Sequence, residues 1–320
     1  MNPAEYNNVL IIAYLNIHGQ TKLSLAKQVQ IESFLKYNHV DIAHFQEIEI
    51  LDDTFSECKY ISSSFNFITN NAANKYGTAS LVKNELCVEN IRCDTSGRAI
   101  VFDIGEFTLG NFYGHSGTDA GSRASREHFF AEVLPQLITN TKHAGFIGGD
   151  WNCVIDKNDA TAHADAKFSN SLKRVTKAFN MHDSFRSIHP KLREFSRYYS
   201  DVRGQGATRI DRQYHWGNVT IASAKHLPLA FSDHHSLIVS VIPPDPFSKL
   251  LCPRGTKFQT TRRSNIRPEV SSKPVRSHDR VGESKIFWTG YTAVVGSNSK
   301  TRYKKTCFNE IKRASDEQEG

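Results

Sequence analysis

The sequence predicts an α/β (α+β) fold: a four-layer sandwich of two stacked, mainly antiparallel β-sheets flanked by α-helices. Two observations lead there. Apolar runs of strand length recur along residues 1–242 with few helical stretches between them, and many strands with few helices bury their faces by stacking sheets. Hydrophobic residues make up 39% of the 320-residue chain, enough for one substantial core. Periodicity alone leaves a generic α/β domain open beside this reading.

The elements follow in order. VLIIAYLN (9–16) is a continuous apolar strand. Residues 22–38 place Leu23, Leu25, Val29, Ile31, Phe34 and Leu35 roughly at helical spacing. VDIAHFQE (40–47) reads as a strand that ends in polar residues, and 77–82, 99–104 and 107–113 read as further strands. Residues 126–140 suit a helix, in which Pro135 demands a kink or an early end. GFIGGD (145–150) is a short buried strand running into a turn, 170–179 suits a helix, and 218–224 and 237–241 close the set as strands. Pro243, Pro244 and Pro246 then mark a boundary. The expected organisation is one domain over 1–243 and a basic, largely disordered tail over 244–320, whose one strand-like stretch is IFWTGYTAVVG (286–296).

Charge is unevenly placed. The tail holds 16 Lys+Arg against 8 Asp+Glu, whereas 1–243 hold 24 against 25. A phosphate-binding face on the domain must therefore be a local patch, and basic residues concentrate between 173 and 212. That region is expected to border a substrate groove, with Arg197, Arg203 and Arg209 as contacts. The tail suits either a solvated extension or a phosphate-tracking arm, with Trp288 and Tyr291 stacking on unpaired bases. Six scattered cysteines without a CxxC pair leave a zinc site unsupported and suggest reduced thiols inside a cell. No run of ~18 apolar residues predicts a membrane span. The N-terminus lacks the basic segment of a signal peptide.

Polar residues stand at the ends of the apolar runs: Asn16, Glu47, Asp150 with Asn152, Asp211, and Asp233 with His234. Any one of them is an ordinary turn former. Together they ask for a common cause, because strand-end loops are where a rigid sheet presents catalytic groups.

NIHG (16–19), FQE (45–47), GGDWN (148–152), TRIDR (208–212) and SDHH (232–235) resemble, in this order, the motif set of the endonuclease/exonuclease/phosphatase superfamily. GGDWNCVIDKNDAT (148–161), FSRYYS (195–200), GATRIDRQYHWG (206–217) and FSDHHSLIV (231–239) look most like the endonuclease domain of LINE-type retrotransposons. No reverse-transcriptase Asp-Asp segment follows in these 320 residues, so a stand-alone nuclease and a truncated element copy both stay open.

The resemblance implies a Mg²⁺-dependent phosphodiesterase, with Mn²⁺ as a substitute, that nicks one strand of double-stranded DNA. Glu47 would ligate the metal, with Asn16 and Asp233 completing or supporting its shell. Asp150 would orient or deprotonate the attacking water and Asn152 would hold a phosphate oxygen. Asp211 would keep His234 protonated against the developing charge. Tyr113, in NFYGHSG, matches a family tyrosine near the phosphate, and His235 is a neighbour. A DNA substrate implies an intracellular, nuclear location. Three other readings stay open: an AP endonuclease-like repair enzyme with a pocket built from Phe231 and Trp216, an inositol-phosphate-type phosphatase, and a catalytically dead nucleic-acid-binding module. Against the last, none of the matched positions has become apolar.

Overall fold

The structure, a computed structural model, describes residues 9–20, 24–48, 59–70, 77–161, 168–201, 204–243 and 250–252. The chain divides into two units, Met1–Ser264 and Asn265–Gly320, and every described residue lies in the first.

One six-stranded sheet takes, in spatial order, β13 (Thr220–Pro228), β14 (His235–Ile242), β1 (Leu10–Gln20), β2 (Ile42–Ile48), β4 (Gly77–Lys83) and β3 (Phe65–Asn70). The other takes β5 (Val88–Cys93), β6 (Ala99–Ile104), β7 (Phe107–Tyr113), β8 (Ala144–Asp150), β12 (Asp211–Trp216) and β9 (His182–Asp183). β10 (Arg197–Asp201) and β11 (Gly204–Thr208) pair as a separate two-stranded sheet. Each large sheet has one parallel pair at its middle, β1 with β2 and β7 with β8, and is antiparallel elsewhere. Parallel neighbours need a crossover. The first is α1 (Leu25–Tyr37), and the second is the stretch from α3 (Ala120–His128) to α4 (Leu134–Ile138).

Side-chain alternation explains the layers. Leu10, Ile12 and Tyr14 of β1 face the other sheet, where Phe102, Phe107 and Phe146 meet them. Ala13, Leu15 and Ile17 face the opposite way, against Ile31 and Leu35 of α1. A strand buried on both faces reads as one continuous apolar run. On the far side of the second sheet, Phe130, Leu134 and Ile138 pack with Leu172 and Val175 of α5 (Asn170–Ala178) against Val101, Ile147 and Trp151.

Three differences from the sequence reading have physical causes. The helix expected over 126–140 starts earlier, at Ala120, where Asp119 caps it by accepting the Ser122 amide. It is then interrupted by a π-turn over Phe129–Val133, which lets Pro135 fall in the first turn of α4, where its missing N–H costs nothing. The strands β3, β5, β11 and β12 were not expected, because FNFITN, VENIRC, GQGAT and DRQYHW mix polar and apolar residues without clear alternation. The packed body also runs past Pro244. Leu250 is buried in the inter-sheet core, and the Cys252 amide donates to the Glu85 carbonyl at 2.7 Å. The stretch 286–296 lies outside the described residues.

Candidate active site

The two parallel pairs point their C-terminal ends to one place. β1 and β2 deliver Asn16 and Glu47 from the first sheet, and β7 and β8 deliver Tyr113 and Asp150 from the second. Asp211 opens β12 directly opposite Asp150 in the antiparallel register. His234 precedes β14, which pairs with β1.

Local backbone features aim these side chains. The β2 register breaks between Gln46 and Ile48, leaving Glu47 at φ 55°. Such a bulge re-aims a side chain out of the pleat. Asn152 (φ 50°) and His18 (φ 57°) share this left-handed conformation, a strain that clusters at functional sites. Gly149 sits at φ 136°, where a Cβ would meet the Phe112 carbonyl oxygen at 2.0 Å. No other residue lets β8 pass this close to β7 and still present Asp150.

The side chains form one network. The Asn16 amide donates to Glu47 Oε1 (3.2 Å) and to Asp150 Oδ2 (2.9 Å), so one neutral group bridges two carboxylates. Tyr113 donates its hydroxyl to the same Glu47 oxygen at 3.1 Å. Asn152 donates its backbone N–H to Asp150 Oδ1 at 2.9 Å and its amide to Asp150 Oδ2 at 3.0 Å. Asp211 Oδ2 lies 2.8 Å from His234 Nδ1. Asp150, Asp211 and His234 are all buried and bring ligand-type atoms within 4.8 Å of one another.

Burial and neighbouring charge set the protonation states. Burial and the Asp211 charge push Asp150 up to about 6, against the opposing pull of His234. Burial alone would lower His234, but the Asp211 charge and hydrogen bond, aided by Asp150, raise it to about 9. At neutral pH the cluster therefore holds a carboxylate able to take a proton beside an imidazolium. Burial and the Glu47 and Asp150 charges raise Tyr113, which keeps its hydroxyl a donor.

The donor set fits a divalent cation. Glu47 is half-buried and Asn16 lies against it, and carboxylate and amide oxygens are the ligands that Mg²⁺ takes while keeping several waters. The repulsion that lifts Asp150 is of the kind such a cation offsets. The buried Asp150, Asp211 and His234 group could also hold a metal.

The structure brings together Asn16, Glu47, Tyr113, Asp150, Asn152, Asp211 and His234, and places Asp233 and Arg197 at the rim and Arg209 in the interior. Asp233 is taken by His18 (3.0 Å) and Arg197 (3.1 Å) at the rim, not by Glu47 or Asn16. Burial raises its carboxyl, but the His234 and Arg197 charges bring it below the usual range. Arg203 lies outside the described residues. Arg209 is not a substrate contact: it is 1% exposed and paired with Asp159 (2.9 Å) and Asp183 (2.6 Å). Its charge serves the interior, as do Arg186, also on Asp159, and the fully buried Arg212. We expect Arg209→Ala to lower unfolding stability by about 3 kcal/mol, because Asp183 loses its guanidinium partner while Asp159 keeps Arg186. A denaturant midpoint within error of wild type would contradict this. Trp216 is buried at the far end of β12, ~17 Å along the strand from Asp211, so it forms no pocket with Phe231 at this site.

Sequence reasoning missed several supports. Ser232 donates to the Asn16 carbonyl at 2.7 Å and accepts the His234 amide at 3.1 Å, tying the two motifs together. The wholly buried Ser196 accepts the amides of Ile210 (3.0 Å) and Asp211 (2.9 Å). Arg98 lies 4.8 Å over the Tyr113 ring. Ser232 and Ser196 both stood in quoted stretches, SDHH and FSRYYS, as neighbours of other residues, whereas Arg98 gave no signal of its own.

Known proteins share this fold. The 3′ phosphatase NExo from Neisseria, bound to a product DNA hairpin, has a TM-score of 0.60 at 16% identity, over 72% of this chain and 98% of that one. The AP endonuclease LMAP from Leishmania major gives 0.58 at 15% identity, over 76% and 90%. An AP endonuclease from Archaeoglobus fulgidus gives 0.56 at 17%, over 72% and 98%. At these identities the likeness is one of fold. Comparison with curated protein sequences gives no match. Among the described residues, no helix is long and apolar enough to cross a membrane. The model described as "Endonuclease/Exonuclease/phosphatase family" matches residues 13–234, a span that runs from the start of β1 to His234 and includes every strand end that meets at the site. The chain therefore belongs to the endonuclease/exonuclease/phosphatase family.

Proposed function

We propose that this protein is a Mg²⁺-dependent DNA endonuclease that nicks one strand of a duplex, of the kind found in LINE-type retrotransposons. The observation that carries the reading is the pairing of Asp150, held near neutrality, with His234, held as a cation by Asp211. DNA as substrate is supported by neighbours described as AP endonucleases and as a 3′ phosphatase bound to DNA. The retrotransposon branch is supported by the Arg-Ile-Asp-Arg and Ser-Asp-His-His stretches.

The residues divide the work. Glu47, with Asn16 beside it, would hold Mg²⁺, which supplies charge stabilisation at the phosphate when bound. Asp150 accepts the proton of the attacking water, oriented by the two Asn152 donors. His234 places its positive charge against the phosphate oxygens as negative charge builds. Both Asn152 amide contacts go to Asp150 and the Gly114 carbonyl (3.1 Å), which favours a role in fixing the base over one in gripping phosphate.

Nicking of supercoiled plasmid by the full chain, with Mg²⁺ or with chelator, tests the reading. Metal-dependent relaxation that is lost in Glu47→Ala supports it. Faster cleavage of an abasic duplex than of an intact one would favour the repair enzyme. Release of inorganic phosphate from an inositol phosphate, without nicking, would favour the phosphatase.

Arg197 is the basic residue at the rim that remains from the expected contacts, half-exposed beside Asp233. Arg197→Ala is expected to weaken DNA binding and to make the log–log salt dependence shallower by about one. An unchanged slope in fluorescence anisotropy would remove Arg197 from the DNA interface.

A further inference from the structure

The two sheets carry different parts of the site, so activity depends on how they are registered against each other. We propose that Asn111, braced by Gln46, is a positioning residue that sets the separation of Glu47 from Tyr113 across the sheet interface. Its effect on catalysis rests on the nuclease reading above; its effect on geometry does not.

Asn111 lies on β7 two residues before Tyr113, so both side chains leave the same face of the strand. It is fully buried. Its amide donates to the Phe45 carbonyl of β2 at 3.0 Å and to the Ala79 carbonyl of β4 at 2.8 Å. Its Oδ1 accepts from Gln46 Nε2 at 2.7 Å. Three hydrogen bonds of one side chain thus cross to the other sheet, and two of them reach Phe45 and Gln46, the residues that precede Glu47 at the break in β2 register.

Packing does not require an asparagine here. The inter-sheet layer holds apolar contacts such as Phe102, Phe107 and Phe146 and buried polar groups on β2 and β4, His44 with Ser80 and Gln46. Leucine has nearly the same shape as asparagine and no polar atoms of its own to satisfy. Apolar contacts are non-directional and tolerate small sliding of one sheet on the other, whereas hydrogen bonds fix both distance and angle. The amide gives the interface a definite register where a left-handed Glu47 must meet Tyr113 and Asn16.

The test compares Asn111→Leu with Phe102→Leu, a change in the same interface away from these bonds. In the crystal structure of Asn111→Leu, the Glu47–Tyr113 contact is expected to lengthen from 3.1 Å by about 1 Å, and kcat for plasmid nicking to fall about tenfold or more. The KM for DNA should stay near wild type, and half-saturating Mg²⁺ should rise. Phe102→Leu should lower the thermal midpoint and leave kcat and Mg²⁺ half-saturation near wild type. Gln46→Leu removes one arm of the brace and carries the same expectation in milder form, should Asn111→Leu fail to fold. An unchanged contact in the variant structure overturns the proposal, as does a kcat loss that Phe102→Leu reproduces at equal thermal midpoint. Failure of the wild type to nick DNA would sink the nuclease reading, while the crystallographic distance would still decide this one.

Discussion

His234→Ala is expected to slow plasmid nicking about 10²–10⁴-fold at saturating Mg²⁺ and DNA, the range found for loss of a positioned acid–base or charge-stabilising group. The wild-type pH profile gives the second readout. His234 acts in its protonated form and is raised to about 9 by Asp211 against the opposing effect of burial. Wild-type rate should therefore hold through neutral pH and fall above about 9, and the residual activity of the variant should lack that alkaline limb. The same shift acts on stability. Because the folded value lies above the ordinary 6.5, the pair stabilises the fold fully below that pH. The contribution is lost as pH rises through about 9. Residual nicking within about threefold of wild type would move the charge-stabilising role to another group.

The reach of the sequence follows from what each residue type can signal. β1 over residues 10–17, β6, β7 and β8 are buried on both faces, and LIIAYL, AIVF, FTLGNFY and AGFIGG show it as largely apolar runs. β12 is just as buried, yet DRQYHW reads as a polar loop. Three of its side chains find partners far away in sequence: Asp211 with His234, Arg212 with the Cys153 carbonyl and Gln213 with Ser184. No local pattern encodes that.

The site was more legible than the fold around it. Asn16, Glu47, Asp150 and Asp211 stand out because each interrupts or ends an apolar run. Arg209 was misread for the converse reason: a lone arginine in sequence reads as a surface charge, and only the fold reveals the buried Asp159 and Asp183 that hold it. Trp216 was misplaced because closeness to a motif in sequence, five residues along a strand, is distance in space. Asn111 did leave a trace, a polar residue inside FTLGNFY, and a buried amide in a strand asks for partners.

Asp150→Asn should separate catalysis from stability most sharply. The substitution keeps size and shape but removes the group that takes the proton, so nicking should fall about 10²–10⁴-fold. The pH dependence of stability should move the other way. Burial and the Asp211 charge raise the folded Asp150 to about 6, above the ordinary 3.8. The native state thus holds the proton more tightly than the unfolded chain does, and the carboxylate destabilises the fold increasingly as pH rises from about 4 to about 6. Above that range the penalty is on the order of 2–3 kcal/mol, and an uncharged asparagine does not carry it. In chelator the variant's thermal midpoint relative to wild type should therefore rise by several degrees between about pH 4 and pH 8, on top of a pH-independent loss where its amide faces an Asn16 or Asn152 donor. An inactive variant whose relative midpoint stays flat over that range would show that Asp150 is a structural anchor for Asn16 and Asn152 more than a strained base. An inactive variant whose relative midpoint rises would show that the fold gives up stability to keep a carboxylate where water is activated.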